Sequence, residues 1–348
     1  MNKSRIVLQI FATVGALLGM TLVLMLAFLI YPADPGSSRF LNFEGFVVLP
    51  EGKSLNVLDY MVVSNDGLFI AGTTMGSVFK VALRPGEDAS QASVLELRGK
   101  PSTHGLALIS GKNLGFVTRS EENLVDLFDT TNLTQIGSIP VADGPDAILY
   151  DPASNLIYVA NGEANLATLI DPGIRAPVAT IALGGKPEFP VLDPRTGLLY
   201  QNLEDKDSVA VVNLAQPSVV AEWSLAPCKG PTGLAIDSDT GRLFAACSNG
   251  MLVVFNLEEH RLIGSLPIGR APDCVAFDMS LHRIYVAGLT NKLTIIQQDN
   301  ADSYRVVDNV RTHFAAHTIA IDPVSHRVYV GYASLFTRPR IAVFSPAE

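Results

Sequence analysis

Short runs of alternating apolar and polar residues, broken by Gly, Pro, Asn and Asp, fill the chain from about residue 40 onward and come in sets of four. One set reads Asp146-Ala147-Ile148-Leu149-Tyr150, Leu156-Ile157-Tyr158-Val159-Ala160, Ala167-Thr168-Leu169-Ile170 and Val178-Ala179-Thr180-Ile181. Its opening recurs at Asp59, His104, Glu188, Thr232, Asp273 and His317, at spacings of roughly 41 to 45 residues. Four short strands repeated at that period predict the blades of a β-propeller. The second strand of every copy carries an aromatic at one place: Phe69, Phe116, Tyr158, Tyr200, Phe244, Tyr285 and Tyr329. Such a ring of aromatics is expected to pack between neighbouring blades.

The seventh copy has only three strands before the chain stops, around 319–321, 328–330 and 341–344. An unpaired fourth edge would invite aggregation. Residues 40–50, with Gly45-Phe46-Val47-Val48-Leu49-Pro50, resemble the outer strands at 136–141 and 263–268. They are expected to supply the missing strand and fasten the ring. The fold class is therefore all-β: a seven-bladed propeller over residues 40–348, closed by an N-terminal strand.

Ahead of it, residues 6–31 carry no charge and are predominantly apolar. As a helix rising about 1.5 Å per residue, that stretch exceeds the roughly 30 Å hydrocarbon core of a bilayer. The sequence Leu29-Ile30-Tyr31-Pro32 offers no good cleavage site. Residues 1–31 thus read as an uncleaved signal anchor, a single transmembrane helix, in preference to a cleaved signal peptide. Lys3 and Arg5 before it and Asp34 after it place the N-terminus inside and the body on the extracytoplasmic, periplasmic side. Residues 32–39, with Pro32, Pro35 and Gly36, form a linker.

Charge changes the picture little. The net charge is −9, and residues 1–39 contribute +2 (Lys3, Arg5 and Arg39 against Asp34), leaving −11 for the body. That carries no nucleic-acid signature. The expected partners are the membrane, through the helix, and a small molecule or an envelope protein. Three cysteines lie in the exported body. Cys228 and Cys247 fall on the same end of one blade and are expected to pair, leaving Cys274 as a thiol; a Cys228–Cys274 bridge, or three buried thiols, are the alternatives.

The wording of the copies resembles the YVTN-repeat seven-bladed propellers, the group that includes YncE-like periplasmic proteins. The resemblance rests on Asp151-Pro152 followed by Tyr158-Val159-Ala160-Asn161, Asp278 followed by Tyr285-Val286-Ala287-Gly288, and Asp322-Pro323 followed by Tyr329-Val330-Gly331-Tyr332. It covers roughly residues 40–348. It implies a fold and names no reaction, since the motif is built from strand and turn residues.

Candidate chemistry gathers where the innermost strands begin, on the channel-mouth face: Asp59, His104, Asp146, Glu188, Thr232, Asp273 and His317, with His313 nearby. Crowded carboxylates beside imidazoles suit a polar ligand or a divalent metal, with Asp146, Glu188 and Asp273 as the candidate ligands. Capping of neighbouring turns is the competing role. Arg119, Arg338 and Arg340, in the loops after the second strands, suit a carboxylate or phosphate. Asp151, Asp193, Asp237, Asp278 and Asp322 stand before turn residues at the far end and read as turn formers. His260, His282 and His326 belong to that far face. No nucleophile elbow, P-loop, H-E-x-x-H or C-x-x-C is present. The leading expectation is a non-catalytic binding propeller. The alternative is a metal-assisted lactonase or hydrolase with His104 or His317 as general base.

Overall fold

The computed structural model describes residues 35–347 apart from 51, 53, 84–86 and 314, and the side chain of His317 is likewise outside the described set. Seven four-stranded antiparallel sheets and one two-stranded ribbon are present among the described residues. Each of the first six sheets is built from four consecutive strands. Blade three, for example, runs Pro145–Asp151, Leu156–Asn161, Leu166–Asp171 and Ala176–Ala182 from the axis outward. Blade seven takes Ala316–Ile321, Val328–Tyr332 and Arg340–Pro346, and its outer strand is Leu41–Val48. The expected closure by the N-terminal strand is thus observed. Leu41 pairs with Pro346 and Val48 with Arg340, with a bulge between Phe43 and Gly45. Gly45 sits there at φ 123°, a conformation that a side chain strongly disfavours.

Among the described residues seven apolar clusters hold the ring, one at each junction of adjacent blades, and each contains the repeated second-strand aromatic of one blade. Phe69 lies in the cluster joining blades one and two, Tyr158 in that joining three and four, and Tyr285 in that joining six and seven. The remaining junctions are built on Phe116, Tyr200, Phe244 and Tyr329. A blade is flat and thin, so its apolar faces are buried only by its neighbours. The closing strand serves two junctions. Leu41 enters the cluster shared with blade six, while Val47 and Leu49 enter the one shared with blade one.

The far-face aspartates organise turns, as their position before turn residues suggests. Asp151 accepts from the backbone amide of Ala153, Asp193 from Arg195 and Asp322 from Val324. His326 joins the same layer, with Nδ1 2.8 Å from Oδ2 of Asp278 in the preceding blade. The anchor and residues 32–34 of the linker read from sequence lie outside the described residues. Among the described residues no helix is long and apolar enough to cross a membrane.

Candidate functional site

Every innermost strand is bulged just after it begins. The register breaks between Leu58 and Met61, Thr103 and Leu106, Pro145 and Ile148, Pro187 and Pro190, and Pro231 and Leu234, and likewise in blades six and seven. A bulge leaves residues out of the ladder and re-aims their side chains. The blade-start residues occupy these bulges. Their freed carbonyls need other donors, and buried polar groups on the second strands supply them. Thr118 donates to the Asp146 carbonyl at 2.7 Å, Gln201 to that of Glu188 at 2.8 Å, and Asn202 to those of Thr232 and Gly233 at 3.1 Å.

Asp59, His104 and Asp146 converge. His104 Nδ1 lies 2.7 Å from Asp59 Oδ2 and 3.8 Å from Asp146 Oδ1, and one ligand atom from each residue falls within 4.8 Å of the others. Solvent reaches 33% of the Asp146 side chain, yet its Oδ1 is buried and accepts no hydrogen bond. Burial and the neighbouring Asp59 carboxylate push the Asp146 carboxyl up to about 7, with His104 pulling the other way. Burial works against the His104 imidazolium, but the Asp59 hydrogen bond and the charges of Asp59, Asp146 and Asp273 outweigh it, so its pKa rises.

Glu188 stands beyond this trio and is pushed up to about 8 by burial and by Asp146, against the pull of Lys186. Lys186 Nζ bridges Glu188 at 3.0 Å and Glu204 at 2.6 Å. Asp146, Glu188 and Asp273 do not form a convergent ligand set among the described residues; the convergent set is Asp59, His104 and Asp146. Asp273 and Thr232 line a small cavity that Asp59 and Glu188 also line. Thr232 uses its hydroxyl as a cap, donating to the Pro272 carbonyl at 2.7 Å.

Two residues absent from the sequence-based site meet across the channel. Tyr60 and Phe189, from blades one and four, stack with ring centroids 5.2 Å apart and planes 18° from parallel. Each follows a blade-start residue directly, and the equivalent positions in blades two, three and five are Gly105, Ala147 and Gly233. A Cβ on Gly105 would stand 2.3 Å from the Asp146 carbonyl oxygen, so the backbones approach too closely there for a side chain. The alternation of very small and aromatic residues at this position was the available signal. The cavity beside the stack, also lined by Asp273 and Cys274, measures about 10 Å³, room for about one water. Tyr60 is raised well above its ordinary range by burial and then by Asp146, Asp59, Glu188 and Asp273.

The other expected contributors lie elsewhere. Arg119 is only 4% exposed and is consumed in its own blade, 3.3 Å from Glu122 and 3.6 Å from Asp126, which removes it as a clamp. His313 is buried against Tyr332 in blade seven. The side chain of His317 is outside the described residues. Cys228 and Cys247 are joined in a disulfide with Cα atoms 5.4 Å apart, and Cys274 is a buried thiol. Burial pushes that thiol up to about 12.

The raised carboxyls have a consequence for stability. Asp146 and Glu188 bind protons more tightly folded than unfolded. Their contribution is therefore fully present below the ordinary carboxylate range and is lost as pH rises through about 7 to 8. If solvent screening leaves even a tenfold difference in proton affinity for Asp146, this amounts to about 1.4 kcal/mol. Asp146→Asn is expected to raise the melting temperature relative to the parent at pH 8.5 and to change it little at pH 5. Equal effects at both pH values, read by calorimetry, would show that Asp146 is not the titrating group.

The class of molecule is now defined: a seven-bladed propeller with an acidic, aromatic-floored channel mouth. Hydrazine synthase from Kuenenia stuttgartiensis is a similar solved structure, 18% identical over 85% of this chain and 97% of that chain, with a TM-score of 0.73. At that identity the likeness shows the fold alone. No family model and no curated protein matches the chain.

Proposed function

We propose that this chain is a propeller of the YVTN-repeat type, anchored outside the cytoplasm by its N-terminal segment, whose channel mouth binds a divalent cation through Asp59, His104 and Asp146. The observation that carries the reading is the convergence of those three groups on one point, with a buried Asp146 oxygen left unpaired there. A buried, unpaired carboxylate oxygen is costly unless something comes to it. Two carboxylates and an imidazole suit zinc or manganese better than calcium, which prefers six to eight oxygens. The cavity lined by the Tyr60–Phe189 stack has room for about one water, which favours capture at the mouth over turnover of a bulky substrate inside the channel.

The closing strand supports an orientation. Leu41 starts at the far-face end and Val48 ends at the mouth, where Arg340 follows the second-to-third-strand loop. An anchor preceding this strand holds the far face toward the membrane and leaves the acidic mouth facing away from it.

Isothermal titration of the metal-stripped full chain with zinc, manganese and calcium tests the site. Saturable, roughly one-to-one binding is expected, weakened by at least about 100-fold in His104→Ala, more than outer-shell partners usually contribute. Because Asp146 must release its proton, affinity is expected to fall as pH drops below about 7. No saturable binding, or unchanged binding in both His104→Ala and Asp146→Asn, would remove the proposal. Hydrolysis of a lactone by the metal-loaded chain, lost in His104→Ala, would move the reading to a hydrolase.

A further inference from the structure

The linker enters the body with little slack. Ser38 Oγ accepts the amides of Phe40 and Leu41, each at 3.1 Å, and Ser37 Oγ accepts that of Phe43 at 3.1 Å. The chain is therefore tied to the far-face end of the closing strand from Ser37 onward. Only residues 32–36 separate it from the apolar stretch read as the anchor. Five residues reach about 18 Å when fully extended, and the headgroup layer takes up about 5–8 Å of that. The surface around Ser37 is thus held within about 10–13 Å of the lipid headgroups. Phe40 fixes which part of the body this is. Its ring meets the guanidinium groups of Arg39, 4.8 Å from the centroid, and of Arg283, 5.0 Å from it. Arg283 begins the second strand of blade six, directly after that blade's innermost far-face turn.

The innermost turns differ around the ring. Their tips are polar or small in blade two (Gly111-Lys112), blade four (Arg195-Thr196) and blade five (Asp239-Thr240). In blades six and seven, which flank the linker, they expose large apolar side chains: Met279 is 46% exposed and Val324 83%. These two turns adjoin, because His326 of one holds Asp278 of the other, Nδ1 to Oδ2 at 2.8 Å. Their carboxylates are turned inward. Asp278 accepts the amides of Ser280 and Leu281, each at 3.0 Å, and Asp322 that of Val324 at 2.9 Å. Arg39, by contrast, is exposed. Ile174, the other large apolar group exposed on a far-face turn, belongs to an outer turn of blade three, across the ring. A single exposed apolar group is ordinary, whereas a pair on adjoining turns where the chain leaves for the membrane marks a contact surface. Apolar tips beside an exposed arginine match the bilayer interface, where acyl boundary and lipid phosphate lie together.

We propose that the adjoining turns of blades six and seven form a lipid-contact surface, which seats Met279 and Val324 in the headgroup layer and sets Arg39 on lipid phosphates. The inference rests on the anchor reading above. The propeller then stands on the bilayer in one orientation instead of swinging on its linker. The test uses the full chain in vesicles of phosphatidylcholine and phosphatidylglycerol, with a nitrobenzoxadiazole fluorophore on Met279→Cys, Val324→Cys or, at the channel mouth, Lys206→Cys. Only the introduced thiol reacts in the folded protein, since Cys228 and Cys247 are bridged and Cys274 is buried. Headgroup spin-labelled lipid is expected to quench the probes at 279 and 324 at least about twofold more than the probe at 206. Failure of the chain to float with the vesicles would remove the anchor reading and this surface with it. Flotation with equal quenching at all three positions would overturn the lipid contact alone. Blue-shifted emission at 279 and 324 that spin-labelled lipid does not quench would also overturn it, and would assign the turns to contact between protein chains.

Discussion

A chain beginning at residue 51 is expected not to form a closed ring. The strand Leu41–Val48 makes the outer edge of blade seven, and the side chains of Leu41, Val47 and Leu49 are completely or almost completely buried. Burying a side chain of this size stabilises by about 1.5–3 kcal/mol, so these three alone represent roughly 5–9 kcal/mol. That is comparable with the whole stability of an ordinary domain. The loss is also not local, because Leu41 seals the junction with blade six while Val47 and Leu49 seal the junction with blade one. The ion pair between Arg327 and Glu44, 2.9 Å long and largely buried on the arginine side, would be lost as well. The expected result is an aggregating or molten product, with loss of the cooperative thermal transition. Leu41→Ala provides the graded check, at about 2–5 kcal/mol. A truncated chain that melts cooperatively at the parent temperature would show that closure does not depend on this strand.

Closure was legible in the sequence because it follows from counting. Six copies have four strands, the last has three, and an outer-strand pattern stands unused before the first. The aromatic of the second strand was equally legible, since a repeated contact produces a repeated residue. The site was legible in position and less so in membership. Equivalent places in seven blades identified the residues that face the channel, but which of them meet depends on side-chain length and on the bulges. Asp59, His104 and Asp146 come from three consecutive blades and converge, whereas Glu188 leans to Lys186 and Thr232 turns its hydroxyl onto the Pro272 carbonyl. Arg119 was misread for a related reason. Its charge is satisfied by Glu122 and Asp126, which are local in sequence, so the side chain folds back into its own blade. The Tyr60–Phe189 stack was missed because each residue reads as one more apolar strand position. Only the bulge, which frees two successive residues from the ladder, places both a carboxylate and the following aromatic on the axis.

Removing the Cys228–Cys247 bridge is expected to cost about 3 kcal/mol without altering the fold. The two cysteines are 19 positions apart, and closing a loop of that length restricts the unfolded chain by about that amount on the chain-entropy model. Both side chains are fully buried in the cluster that joins blades four and five, beside Leu225 and Tyr200. The flanking hairpin keeps other ties, including the amide of Ser248 on the Gly230 carbonyl and the Asn249 side chain on that of Pro227. The double variant Cys228→Ala, Cys247→Ala therefore retains its folded contacts and loses mainly the constraint on the unfolded state. The melting temperature is expected to fall by roughly 6 °C, a small shift because a large domain spreads each kcal/mol over a large unfolding entropy. Cys274 supplies an internal control, since it is buried without a disulfide partner. Alkylation after unfolding without reductant is expected to label that cysteine alone, and to label all three once reductant is added. Such a bridge is maintained in an oxidising compartment, which supports the extracytoplasmic placement proposed above. Three labelled thiols in the non-reduced protein, or a double variant that melts with its parent, would remove the bridge from the energetics of this propeller.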